Sequence, residues 1–150
     1  MELLIPPPLV LLVVGAAMWA MDRLLPATRI AAALSLPLAT VLLVTGLLLM
    51  FAAAASLILS RTTINPLCPG NASRLVTSGI FRFSRNPIYL GDLLLLAAWA
   101  VWLGNTVNVV WLGVFVWYIR RFQIEPEERA LDRLFGESFR AYCANVRRWL

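Results

Sequence analysis

Residues 30–59 contain no charged side chain. Wound as a helix, thirty residues measure ~45 Å, more than the ~30 Å of a hydrocarbon core. A helix that is apolar on every side needs a large protein core or lipid around it. This chain has only 150 residues, 61% of them hydrophobic, and a mean hydropathy of +0.79. Soluble domains average roughly 45–50% apolar residues, so the bilayer is the environment that accommodates the run. Pro37 is expected to separate a short interfacial lead-in from the spanning part. Gly46 and the alanines at 52–55 offer small residues for close helix contact, the main device for association in lipid.

Three further apolar runs occupy residues 8–25, 87–103 and 106–124, with a tight turn at Gly104-Asn105 between the last two. Prolines before the first run suit a helix start, where a missing N–H has no partner to lose. Between the second and third runs, Pro66, Pro69, Gly70, Asn71 and Gly79 mark a long surface loop. After the fourth, Leu131, Phe135, Phe139, Tyr142, Val146 and Trp149 recur at steps of three or four, predicting an amphipathic helix over 127–149. The expected fold is an all-α integral membrane protein with four transmembrane helices, the third and fourth a helical hairpin, plus a C-terminal cytoplasmic amphipathic helix. One domain, 1–150, divides into N-terminal helices (1–60), a cytoplasmic loop (61–86), the hairpin (87–124) and the tail helix (125–150).

The net charge is +5, and every basic residue is Arg. Arg23 and Arg29 lie in the first connection and none lies in the 104–105 turn; the rest fall in the long loop or from Arg120 onward. The positive-inside rule places the long loop and both termini in the cytoplasm. Basic residues clustered beside apolar runs fit membrane topology better than nucleic acid. The first eight residues carry an acid and no positive charge, so the first run is expected to be retained rather than cleaved as a signal peptide.

Histidine and lysine are absent, which excludes Ser-His and Cys-His nucleophiles, a P-loop and a Schiff base. Cys68 and Cys143 give no metal-ligand spacing and no disulfide framework, and no metal is expected.

Two polar patches flank the hairpin. Arg85-Asn86-Pro87-Ile88-Tyr89-Leu90-Gly91 opens the third run, and Glu125-Pro126-Glu127-Glu128 follows the fourth. Each has a plain structural reading. Asn86 and Pro87 suit a helix N-cap and first position, Arg85 suits snorkelling, and the glutamates suit the first turn of a helix. The tryptophans read as interfacial anchors or packing residues. Asp92, an acid inside an apolar run, is a functional candidate by default, though it also suits the headgroup layer or an Arg partner. The two patches can close on each other at a membrane surface, which suits an enzyme taking one reactant from water and the other from lipid.

From Arg74 onward the chain reads Arg-Leu-Val-Thr-Ser-Gly-Ile-Phe-Arg-Phe-Ser-Arg-Asn-Pro-Ile-Tyr-Leu-Gly, an apolar hairpin, Glu-Glu-Arg-Ala-Leu, Phe-Gly-Glu-Ser-Phe-Arg-Ala-Tyr and Val-Arg-Arg-Trp-Leu. About half the chain thereby resembles the isoprenylcysteine carboxyl methyltransferases and their bacterial and phospholipid-methylating relatives. The resemblance implies an integral-membrane methyltransferase that uses S-adenosylmethionine and a lipophilic acceptor, here in a bacterial cytoplasmic membrane. It implies cofactor binding by Arg85, Asn86, Pro87, Tyr89, Gly91, Glu127 and Glu128, with Arg85 and Tyr89 as candidate catalytic residues. Two positions depart from the pattern: Asn86 stands where prenyl-protein members have His, and Phe139 where Tyr is common. The first weakens an assignment to prenylated protein. Two rivals remain: a membrane reductase of sterol or isoprenoid type using a nicotinamide cofactor, and a non-enzymatic helical scaffold.

Overall fold

Helix α1, Pro7–Leu24, begins on buried Pro7 and ends as Leu25 leaves helical geometry. Helix α2 spans Ala32–Leu59, a 3-10 turn spans Gly79–Arg82, and α3 spans Pro87–Leu103. A second 3-10 turn, Thr106–Asn108, leads into α4, Val109–Ile119; a π-turn, Arg120–Ile124, then leads into α5, Glu125–Phe135. Helix α6 covers Glu137–Asn145. This computed structural model describes residues 5–25, 32–61 and 73–150, and no strand occurs among them. Cys68, Arg29, Pro66, Pro69, Gly70, Asn71 and the first four residues lie outside that set.

Two of these helices, α1 and α2, are long and apolar enough to cross a membrane; α3 is apolar but only 17 residues long. Only 11% of the apolar stretch of α2 is buried within the protein, with Leu36, Val41, Leu48, Phe51 and Ile58 exposed. A soluble core helix would be covered. An exposed apolar face of this extent calls for a partner of its own kind, and lipid supplies one.

Helices α2 and α3 touch through glycine. A Cβ on Gly46 would stand 2.9 Å from the carbonyl oxygen of Gly91, and one on Gly91 would run into Met50 Cγ. Backbone meets backbone there because neither residue has a side chain. The opposite face of α3 joins the main core, where Tyr89, Leu96, Ala100 and Leu103 pack with Val10, Val14 and Met18 of α1 and with Phe115, Ile119 and Ile124. Trp99 donates through Nε1 to the Gly15 carbonyl at 3.1 Å, and Asn105 donates to the Leu25 carbonyl at 2.8 Å. These bonds fasten α1 along α3 and to the turn that follows it.

Four expectations need correction. Pro37 does not divide the second run, because α2 continues through it. The link after α3 includes the Thr106–Asn108 turn, so α4 begins at Val109 rather than residue 106. The chain does not restart at residue 125, because α4, the π-turn and α5 keep helical dihedrals throughout. The tail is not one helix over 127–149 either. Gly136, at φ +50, breaks it into α5 and α6, and Val146 at φ −127 begins an extended strap. Left-handed backbone is costly for any residue with a Cβ, which explains the glycine at the break.

Candidate active site

Pro87 starts α3 and is fully buried, with Asn86 at the N-cap position. The Asn86 side chain does not cap the helix. Its Nδ2 instead donates to the Arg148 carbonyl at 2.9 Å, while its backbone N–H donates to Ser84 Oγ at 3.2 Å. The Arg85 N–H donates to the Arg147 carbonyl at 3.0 Å, and Ser84 Oγ reaches the Arg148 carbonyl at 3.5 Å. The C-terminal strap therefore lies along Ser84–Asn86, and Trp149 packs against the main core.

That strap delivers Arg148 to Glu128. Arg148 Nη2 lies 2.6 Å from Glu128 Oε2, and its Nε donates to Oε1 at 3.1 Å, a bidentate pair. On the other side Arg85 Nη1 lies 3.3 Å from Glu128 Oε1. One carboxylate thus joins the Asn-Pro corner, α5 and the strap. The Glu128 bond raises the Arg148 guanidinium above its ordinary range.

Tyr89, one helical turn beyond Arg85, donates its hydroxyl to Glu127 Oε1. Burial pushes the Glu127 carboxyl up to about 8; the Tyr89 hydroxyl opposes this and the neighbouring Glu128 adds to it. The first-turn dipole reading of Glu127 and Glu128 does not apply, because the preceding π-turn already occupies the N-terminal side of α5. Isolated π-turns are rare in helices and cluster at functional sites. This one points Gln123 inward, wholly buried, with Nε2 donating to the Ile5 carbonyl at 2.6 Å.

A cavity of about 390 Å³ opens beside the Glu128 network, between α5 and α6. Its walls include Glu125, Glu128, Asp132, Arg140, Arg148, Cys143 and the ring of Phe139. The free thiol of Cys143 meets Arg85 Nη1, and Arg85 Nε is buried with no partner. Tyr142 braces this wall by donating to the Phe81 carbonyl at 2.7 Å, and burial pushes its phenol up to about 12.

The structure therefore gathers Arg85, Asn86, Tyr89, Glu127 and Glu128, with Pro87 fixing the corner. It places Gly91 elsewhere, against α2 at Gly46 and Met50. Sequence reasoning missed Arg148, Ser84, Tyr142 and Gln123. Arg148 had a visible signal in the Arg-Arg pair of the closing segment, and Tyr142 lay on the apolar stripe. The contacts to the Arg147 and Arg148 carbonyls had none, since any residue type supplies a carbonyl.

Residues 34–138 match the phospholipid methyltransferase family. An uncharacterized protein of Haemophilus influenzae is 49% identical over 65 residues, which is 42% of this chain and 100% of that protein. Protein-S-isoprenylcysteine O-methyltransferase A of Arabidopsis thaliana is 36% identical over 72 residues, 48% of this chain and 36% of the relative. The Dictyostelium discoideum protein-S-isoprenylcysteine O-methyltransferase is 33% identical over 72 residues, 48% of this chain and 30% of the relative. The chain thus spans about a third of the length of the isoprenylcysteine methyltransferases it matches. No solved structure matches it.

Proposed function

The chain belongs to the phospholipid methyltransferase family, and from that premise we propose that it transfers a methyl group from S-adenosylmethionine to a lipophilic acceptor at the cytoplasmic face of a bacterial inner membrane. In this reading α1, α2, α3 and α4 with its π-turn form four spans, the last two a hairpin, within one domain. Both termini face the cytoplasm, as the arginine distribution favours. The observation that carries the reading is the convergence of Arg85 and Tyr89 with Glu127 and Glu128, some forty residues apart in sequence.

The chemistry of the walls suits the cofactor. Ligand pockets of this kind typically enclose ~300–1,000 Å³, and the cavity holds about 390 Å³ with both signs of charge and one aromatic ring. The cofactor carries an ammonium, a carboxylate, ribose hydroxyls, an adenine and a sulfonium. Glu125 and Asp132 of the wall, with Glu127 next to wall residue Glu128, would accept from the ammonium or ribose, and Phe139 would face the adenine. Arg85, with its buried unpartnered Nε, would meet the carboxylate. Glu128 is engaged on both sides by arginine, so its role would be to hold Arg85 and Arg148 in place. When bound, the cofactor supplies a methyl group already activated on sulfur, so the protein's work is alignment and exclusion of water. Tyr89, beneath the corner, would line the point where cofactor and acceptor meet, and the acceptor would enter from the bilayer beside residues 86–92.

The test is ligand binding to purified protein in detergent. S-adenosylhomocysteine should raise the melting temperature, and a nicotinamide nucleotide should not. Arg148→Ala should weaken S-adenosylhomocysteine by about 10- to 100-fold, the scale of one lost charged hydrogen-bonding partner. A melting temperature unmoved by S-adenosylhomocysteine would end the methyl-transfer reading.

A further inference from the structure

Asp92 lies on α3 three positions after Tyr89 and four before Leu96. Residues so spaced share one face of a helix, and Tyr89 and Leu96 both pack in the main core with α1, Ile119 and Ile124. Asp92 is only 4% exposed. No hydrogen bond or ion pair reaches its carboxylate among the described residues, and its oxygens are not among the sealed side-chain atoms that lack a partner, so the carboxylate has no Arg partner and keeps an opening through which a ligand can reach it. Gln123 is 0% exposed and its Oε1 has no donor; it stands four positions before Glu127, which Tyr89 contacts. The Tyr89–Glu127 contact thus has the unpaired acid Asp92 within one turn of Tyr89 and the donorless Gln123 Oε1 within about one turn of Glu127.

An unpaired acid at this depth is costly, so natural proteins place one there for a cation or a proton. Methyl transfer onto a carboxylate displaces no proton. Transfer onto an amine does: the nitrogen lone pair forms the new N–C bond, the C–S bond breaks with its electrons left on sulfur, and the nitrogen must shed a proton. We propose that Asp92 is a further catalytic residue, which attracts the ammonium form of a lipid amine acceptor and takes the proton that its nitrogen loses. The inference rests on the methyl-transfer reading above. It gives Glu127 and Asp92 separate tasks, the first on the cofactor side of Tyr89 and the second on the acceptor side.

The experiment uses full-length protein in detergent with two acceptor probes, dioctanoyl phosphatidylethanolamine and N-acetyl-farnesylcysteine. Wild-type protein should pass labelled methyl to the phosphatidylethanolamine nitrogen. Asp92→Asn should bind S-adenosylhomocysteine within about twofold of wild type, which certifies fold and cofactor site, while its kcat drops by about 100-fold or more, the contribution typical of a general base. With S-adenosylhomocysteine present, its affinity for the amine probe should fall by about tenfold, as for one lost charged hydrogen bond. Asp92→Glu, which keeps the acid, should recover part of the lost kcat. Asp92→Asn turning over within threefold of wild type would overturn the inference and leave the cofactor reading standing. Wild-type methylation of the farnesylcysteine carboxylate alone would do the same. Wild-type protein that binds no S-adenosylhomocysteine would remove the cofactor reading and this inference with it.

Discussion

Below pH 7 the Glu127 side chain holds a proton in the ligand-free protein, because burial pushes its carboxyl up to about 8. To accept from the cofactor's ammonium it must give that proton up. Binding therefore releases a proton, and affinity should strengthen about tenfold per pH unit while pH stays well below the raised value. Between about pH 5.5 and 7 the gain is roughly 30-fold, levelling near 8. The ligand's own amine stays charged across that window, since α-amino groups titrate at about 8. Calorimetry of S-adenosylhomocysteine near pH 6.5, in two buffers of different ionisation enthalpy, should return about one proton released per site. Glu127→Gln should release almost none and bind with a flat pH profile. A wild-type count near zero would refute the assignment of Glu127 to the ammonium. The sign reverses for ligand-free stability. A carboxyl raised from an ordinary 4.5 to about 8 contributes stability that is fully present below the first value and is lost as pH climbs through the second. The melting temperature of ligand-free wild type should therefore fall across that window, and that of Glu127→Gln should fall less.

The glycine contact between α2 and α3 predicts that Gly91→Ala costs about 1–3 kcal/mol, as overpacking does, because its Cβ would meet Met50 Cγ and the Gly46 carbonyl. Gly113→Ala, with nothing within 4 Å of a Cβ, should be neutral or stabilising by up to about 1 kcal/mol; thermal melts of the pair in detergent check both. Tyr142→Phe should cost about 1–3 kcal/mol by leaving the Phe81 carbonyl without its donor, and a melting temperature equal to wild type would show that bond to be dispensable.

The apolar helices were legible because length alone identifies them. The expected runs 8–25 and 30–59 stand as Pro7–Leu24 and Ala32–Leu59. Pro37 was misread because in lipid a helix keeps its remaining bonds rather than expose a broken backbone, so one missing N–H does not end it. The tail was misread for a different reason. Leu131, Phe135, Phe139 and Tyr142 keep their spacing across Gly136, so the apolar stripe runs on while the backbone turns. Trp149 keeps the spacing too, yet it sits in the strap that seats it in the core.

The site was legible in its acids, its arginine and its tyrosine, because those side chains have few plain uses beside a membrane. What the sequence hid is how Glu128 is used. A carboxylate with one cation beside it can still be offered to a ligand, but Glu128 is held between Arg85 at 3.3 Å and Arg148 at 2.6 Å. Arg148 arrives only because Ser84, Arg85 and Asn86 bind the backbone of residues 147 and 148. Glu127, buried and protonated beside Tyr89, is then the carboxyl of the pair left free to respond to an incoming cation. Two adjacent glutamates that look equivalent along the chain thus divide the work, one as a fixed strut and the other as the group that changes charge.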